Sequence, residues 1–191
     1  RNVEFYALEF DYRKYWHFAK TFSMALRFSG GASTGATPKQ YFLGGTTNWI
    51  GSRTFDATVY DVENLYFANV VTPLRGVPYY SLSGDRYGLI NWELRFPFIQ
   101  YLAMKYPLPI VLGNITGVVF TDIGAAWFGD NFKFGTSQGG NRLQDVHTGF
   151  GVGARMNLFG FALLRYDLAW TTDFNTISHS PTSYFSLGAD F

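Results

Sequence analysis

The 191-residue sequence contains no cysteine, only three histidines, and charged residues make up just 15% of it. Without cysteine there are no disulfide staples and no thiolate metal or redox centres. His17, His147 and His179 are scattered and form no metal-binding pair at helical spacing. A net charge of +1 provides no basic surface for nucleic acid. No apolar run approaches the roughly 20 residues that a membrane helix requires. Ser81-Leu82-Ser83-Gly84 holds a serine next to glycine, but it lacks the strand-to-helix setting of a nucleophile elbow. The sequence therefore predicts no enzyme, no metal site, no cofactor and no nucleotide.

What the chain does have is aromatics, at 20%, and 21 glycines. Rich in aromatics and glycine and poor in charge, it has the profile of a sheet protein with a large apolar face. A mean hydropathy near zero fits a soluble protein. It equally fits a transmembrane barrel, whose strands place apolar residues outward and polar ones inward. The chain opens Arg1-Asn2-Val3-Glu4, already inside an alternating pattern. The expectation is that a leader has been removed or that the chain is a piece of a longer one.

Alternation of period two is the dominant signal. From Val3 to about Tyr15, Tyr6, Leu8, Phe10 and Tyr12 oppose Ala7, Glu9, Asp11 and Arg13. A turn at Trp16–Lys20 leads to a second strand in which Phe22, Met24, Leu26 and Phe28 alternate with small and polar residues. Alternation resumes at Tyr87–Phe98, with Ile90, Trp92 and Leu94 on one face and Asn91, Glu93 and Arg95 on the other. Pro97, Pro107 and Pro109 are expected to bracket a turn. Four further strands follow, at about Gly113–Trp127, Asp145–Asn157, Phe161–Trp170 and Ser183–Phe191. Phe120 and Asp122 share one face, and Gly149, Gly151, Gly153 and Arg155 share another.

Between the second and third strands, from about Gly30 to Arg86, lies a long stretch with no sustained period. It carries Phe42, Trp49, Tyr60, Tyr66, Tyr79 and Tyr80 among other aromatics. So aromatic a loop must pack against something, and the alternating strands are the wall available to it. Short turns alternate with longer connectors, as on the two rims of an outer-membrane barrel. A soluble sandwich also alternates, but its turns need not sort in this way.

Two strands precede the loop and five follow it, seven in all. Bacterial single-chain barrels have even strand numbers, and an open sheet leaves unpaired edges in lipid. The expected fold is therefore all-β, a transmembrane antiparallel β-barrel of which residues 1–191 supply the C-terminal seven strands, with a long inserted loop at about 30–86.

With the strands placed, four motifs resemble the C-terminal part of the BamA/TamA-like outer-membrane surface-antigen superfamily. These are Leu74-Arg75-Gly76-Val77, Phe42-Leu43-Gly44-Gly45, Phe120-Thr121-Asp122-Ile123-Gly124 followed by Trp127, and Arg165-Tyr166-Asp167-Leu168-Ala169 followed by Tyr184 to Phe191. The long interval from Gly45 to Arg75, with Asn48-Trp49-Ile50 inside it, is more similar to a branch associated with Bacteroidota-type bacteria.

The resemblance implies a barrel of about 16 strands whose sixth outer loop folds back into the lumen. It implies that Arg75 engages Asp122 and Phe120, with Glu93 nearby and Gly124 in the same wall motif. Arginine suits that task, because its planar fork holds carboxylates bidentately and stacks on rings. The final strand, with Phe185, Leu187, Ala189 and the terminal aromatic Phe191, is implied to be both assembly signal and seam strand. The implied function is non-enzymatic insertion, assembly or translocation of outer-membrane proteins. The alternative is a passive pore or membrane anchor for a periplasmic domain. Implied partners are outer-membrane lipid, client outer-membrane proteins, and accessory periplasmic or lipoprotein subunits, without nucleic acid or nucleotide. The implied location is the outer membrane of a Gram-negative bacterium, with the C-terminus at the periplasmic rim.

Overall fold

The computed structural model describes residues 4–19, 21–50, 68–105, 107, 110–134, 144–158 and 162–188. In chain order the strands are β1 (Phe5–Phe18), β2 (Phe22–Gly35), β3 (Gln40–Leu43), β4 (Ala68–Val71), β5 (Leu82–Gly84), β6 (Arg86–Met104), β7 (Ile110–Trp127), β8 (Val146–Leu158), β9 (Ala162–Thr172) and β10 (Thr182–Gly188). Seven of them form one antiparallel sheet in the order β1-β2-β6-β7-β8-β9-β10. The sheet is open, with β1 and β10 at its margins.

Every neighbour in this sheet is also the next wall strand in the chain, so the wall is a meander interrupted once, between β2 and β6. The registers sort the connectors onto two rims. The turns that join β1 to β2, β6 to β7 and β8 to β9 lie on one rim, where β10 also ends at Gly188 opposite Leu163. At the other rim β2 meets the start of β6, the end of β7 meets the start of β8, and the end of β9 lies near the start of β10.

The faces are distributed in the opposite sense to a soluble sandwich. On one face Asn91, Glu93, Asp122, Arg155, Arg165 and Asp167 are buried. On the other, Ile90, Val119, Val152, Tyr166, Phe185 and Leu187 are exposed. Period-two alternation forces this separation, and only an apolar solvent makes an outward row of Val, Ile, Leu and aromatic side chains favourable.

The interval between β2 and β6 is more regular than its sequence predicts. β2 continues to Gly35, and β3, β4 and β5 form a second sheet in the order β4-β3-β5. Strands of three or four residues are too short to display a period, and β4 pairs in parallel with β3. This small sheet packs on the polar-lined face of the wall. Tyr41, Leu43, Val71, Leu74 and Val77 form a core there with Tyr87 and Leu89 of β6. The loop thus supplies the hydrophobic interior that a wall with an inward polar face lacks.

Pro97 does not end its strand. β6 runs on to Met104, and the register shifts between Pro97 and Ile99. A bulge absorbs the missing N–H and lets pairing resume. The first turn is likewise tighter than expected, because Phe18 pairs directly with Phe22 and β1 extends through Trp16.

Candidate functional site

The loop reaches the wall through a backbone device built from its two glycine motifs. Gly44 and Gly45 have φ of 128° and 72°, which favours glycine. Gly45 donates to the carbonyls of Leu74 (3.1 Å) and Val77 (3.0 Å), and Leu74 donates back to Gly45 (2.9 Å). Phe42-Leu43-Gly44-Gly45 therefore clamps Leu74-Arg75-Gly76-Val77 from behind. A Cβ at Gly45 would sit 2.0 Å from the Tyr79 ring, so the clamp closes only on glycine.

Held in this way, Arg75 projects into the wall and is 1% exposed. Its Nε donates to Asp122 Oδ2 at 2.7 Å and its Nη2 to Asp122 Oδ1 at 2.9 Å. Its own backbone N–H donates to the same carboxylate at 3.0 Å. Nη1 lies 2.9 Å from Glu93 Oε1 and 3.5 Å from Asp167 Oδ2. The guanidinium carbon stands 3.5 Å above the centre of the Phe120 ring. Burial works against the charged form, but the carboxylates of Asp122, Glu93 and Asp167 outweigh it and hold the Arg75 pKa above the ordinary arginine value.

The four wall residues implied for this motif are brought together, each on its own terms. Phe120 and Asp122 are adjacent inward positions of β7, and Glu93 lies opposite Phe120 on β6. Gly124 touches the loop differently: a Cβ there would meet Leu74 Cδ2 at 3.0 Å, so it makes room for the residue beside Arg75. Val77 is buried and contributes its carbonyl to the Gly45 clamp.

Further members were not singled out by sequence. Asn91 donates to both Pro73 O (2.8 Å) and Asp122 Oδ1 (2.7 Å). Arg155 donates to Glu93 through Nη1 (3.0 Å) and Nη2 (2.8 Å), and Arg95 reaches the same carboxylate at 3.0 Å. The Tyr184 hydroxyl accepts the Gly76 N–H at 2.8 Å. Arg27, paired with Asp11 at 2.8 Å, donates to Thr72 O at 2.6 Å. Their common signal is parity: each lies on the inward face of its strand, and Asn91 and Arg95 flank Glu93 at two residues on β6. In these contacts Arg75, Arg95 and Arg155 meet the carboxylates of Glu93, Asp122 and Asp167.

Glycines complete the fit. A Cβ at Gly149 would lie 1.7 Å from the Arg75 carbonyl oxygen, so only a glycine lets the loop backbone lie against β8. Gly151 and Gly153 serve the wall itself, the first under Phe120 and the Leu168 carbonyl, the second beside Asp167. Phe185 and Leu187 are exposed on the outward face of β10, away from the site. Ala189 and Phe191 lie outside the described residues. Among the described residues no cluster of His, Cys, Asp and Glu could hold a metal ion.

An antiparallel wall with an apolar outer face and a charged inner face, on which its own loop packs, has the character of an outer-membrane β-barrel wall. The Omp85 superfamily domain matches residues 1–191, and the chain belongs to that family. No curated protein and no solved structure gives a significant match. The family is an outer-membrane family of Gram-negative bacteria, and its members act without enzymatic chemistry in insertion or translocation of proteins, together with accessory proteins.

Proposed function

We propose that residues 1–191 form the C-terminal part of a larger barrel that inserts or translocates outer-membrane proteins, and that docking of the Arg75-Gly76 loop holds its working conformation. The observation that carries this reading is the buried fork of Arg75 on Asp122, backed by Glu93 and stacked on Phe120. Such an arrangement fixes a loop at one position on a wall, because a planar guanidinium tolerates little displacement from a bidentate carboxylate. The open margins of the seven-stranded sheet support the larger barrel, since unpaired edges are not viable in lipid. The rim bearing the short turns and the end of β10 is the periplasmic one, as short turns belong to that side.

No bound nucleotide is invoked; the free energy comes from the client's own burial of apolar surface in the bilayer. Depletion of the natural protein, followed by quantification of other barrel proteins in the outer membrane, tests the reading. A general fall is expected, and Arg75→Asp should fail to complement it. Unchanged levels would refute the insertion role and favour a passive pore or anchor.

A further inference from the structure

The outward face of the wall carries a trough in the half nearer the short turns. The registers set Phe96 of β6, Gly117 of β7, Ala154 of β8 and Tyr166 of β9 side by side in one row across the sheet. The next row along β7, β8 and β9 is Val119, Val152 and Leu168. Two small residues on adjacent strands, with an aromatic on either side, leave a depression of about 350 Å³ that Val152, Leu168 and Phe98 also line. A Cβ at Gly117 would fall 2.6 Å from the Phe96 ring, so that ring leans across the glycine and narrows the trough onto Ala154. The side-chain lining is apolar apart from the hydroxyl of Tyr166. Tyr166 is 45% exposed, and among the described residues no group hydrogen-bonds its hydroxyl.

We propose that this trough seats one acyl chain of a phospholipid from the leaflet on the short-turn side, with the Tyr166 hydroxyl donating to an ester carbonyl of the same lipid. The trough is continuous with the exposed apolar row of Ile90, Val119, Phe185 and Leu187, so what fills it comes from the bilayer that this row faces. A gap beside packed side chains forfeits dispersion contacts, and a chain of methylenes restores them. Narrowed by the Phe96 ring, the trough admits a linear chain but not a helix about 10 Å across. Depth fits the polar end. Tyr166 lies four residues from the start of β9 at Ala162. At about 3.3 Å per residue and a tilt near 45°, that is roughly 9 Å along the bilayer normal, where lipid esters give way to hydrocarbon. A tyrosine at that depth presents an apolar body and a polar tip, and a tip without a protein partner takes one from lipid. The proposal rests on the outward face meeting lipid and is independent of the insertion role.

The test uses the natural full-length chain in lipid nanodiscs that contain phosphatidylethanolamine with a photoreactive diazirine on one acyl chain. After irradiation, adducts on the trough residues of β8 and β9 are compared with those on Met24 and Leu187, outward residues of β2 and β10. Ala154→Leu fills the trough from the lipid side, and heat-modifiable migration on gels shows that the variant is folded. It should lower the trough adducts at least about fivefold and leave those at Met24 and Leu187 unchanged. Labelling that is even over the outward face, or that ignores Ala154→Leu, would overturn the seat and leave only ordinary lipid contact. Tyr166→Phe keeps the ring and removes the donor. It should reduce the immobilised fraction of a spin-labelled phosphatidylethanolamine about twofold or more, and no change would overturn the ester bond. Adducts that form in nanodiscs but not in isolated outer membranes would mean that a protein covers the trough, which would overturn the lipid assignment. None of these readouts depends on whether the depletion experiment succeeds.

Discussion

Gly149→Ala should undock the loop without touching any loop residue. The added methyl would lie 1.7 Å from the Arg75 carbonyl oxygen, well inside van der Waals contact. The loop must therefore retreat by more than about 1 Å, because β8 is held on both sides by β7 and β9. A shift of that size takes the Arg75 N–H and Nε, now 3.0 and 2.7 Å from Asp122, beyond hydrogen-bonding range. Each such charge-assisted bond is worth about 1.5–3 kcal/mol, so about 3–5 kcal/mol of docking energy is at stake. At 1.4 kcal/mol per tenfold, the ratio of docked to undocked loop falls by about a hundredfold or more. Gly88→Ala is the matched control: it is also a wall glycine, but nothing lies within 4 Å of its added Cβ. The assay is limited proteolysis of the folded protein in outer-membrane fragments, with loop cleavage mapped by mass. Faster cleavage is expected for Gly149→Ala alone. If all three proteins are cut at the same rate, the docking geometry is wrong.

Two further outcomes follow from the same geometry. Arg75→Lys keeps the charge but loses the fork and the stack on Phe120, and should weaken docking by about 2–4 kcal/mol, read as increased loop proteolysis with the barrel still heat-modifiable on gels. Val152→Arg places a cation on the outward face of β8 and should destabilise the barrel by about 2–4 kcal/mol if that face meets the bilayer midplane. This is measured by unfolding in lipid, and a neutral result would place the outer face in water.

The wall was legible in the sequence because a half-buried strand is written in period two. Asn91, Glu93 and Arg95 declared one face of β6 and Ile90, Trp92 and Leu94 the other, and the ladder kept that division. Pro97 misled, because a bulge in the partner register hides from a single strand's pattern. The inner sheet of the loop was not legible, since its strands are too short to alternate and β4 pairs with β3 across a long interval. The Arg75 anchor could be anticipated from motif and face, whereas its supports could not be ranked. Asn91, Arg155 and Tyr184 sit at inward positions like many others, and only the folded register brings them within reach of Asp122, Glu93 and Gly76. Gly149 could be placed on an inward face with room for the loop, but not assigned to the carbonyl of one particular residue.

The central claim, that Arg75 and Asp122 together hold the loop to the wall, is tested most directly by a double-mutant cycle on that pair. Stability of the folded natural chain in lipid is measured for the parent, Arg75→Ala, Asp122→Ala and the double variant. Each single change strands a buried charge and should cost about 3–5 kcal/mol, with the double variant costing much less than the sum. A coupling of about 2 kcal/mol or more is expected. Additive costs, with coupling near zero, would contradict the account.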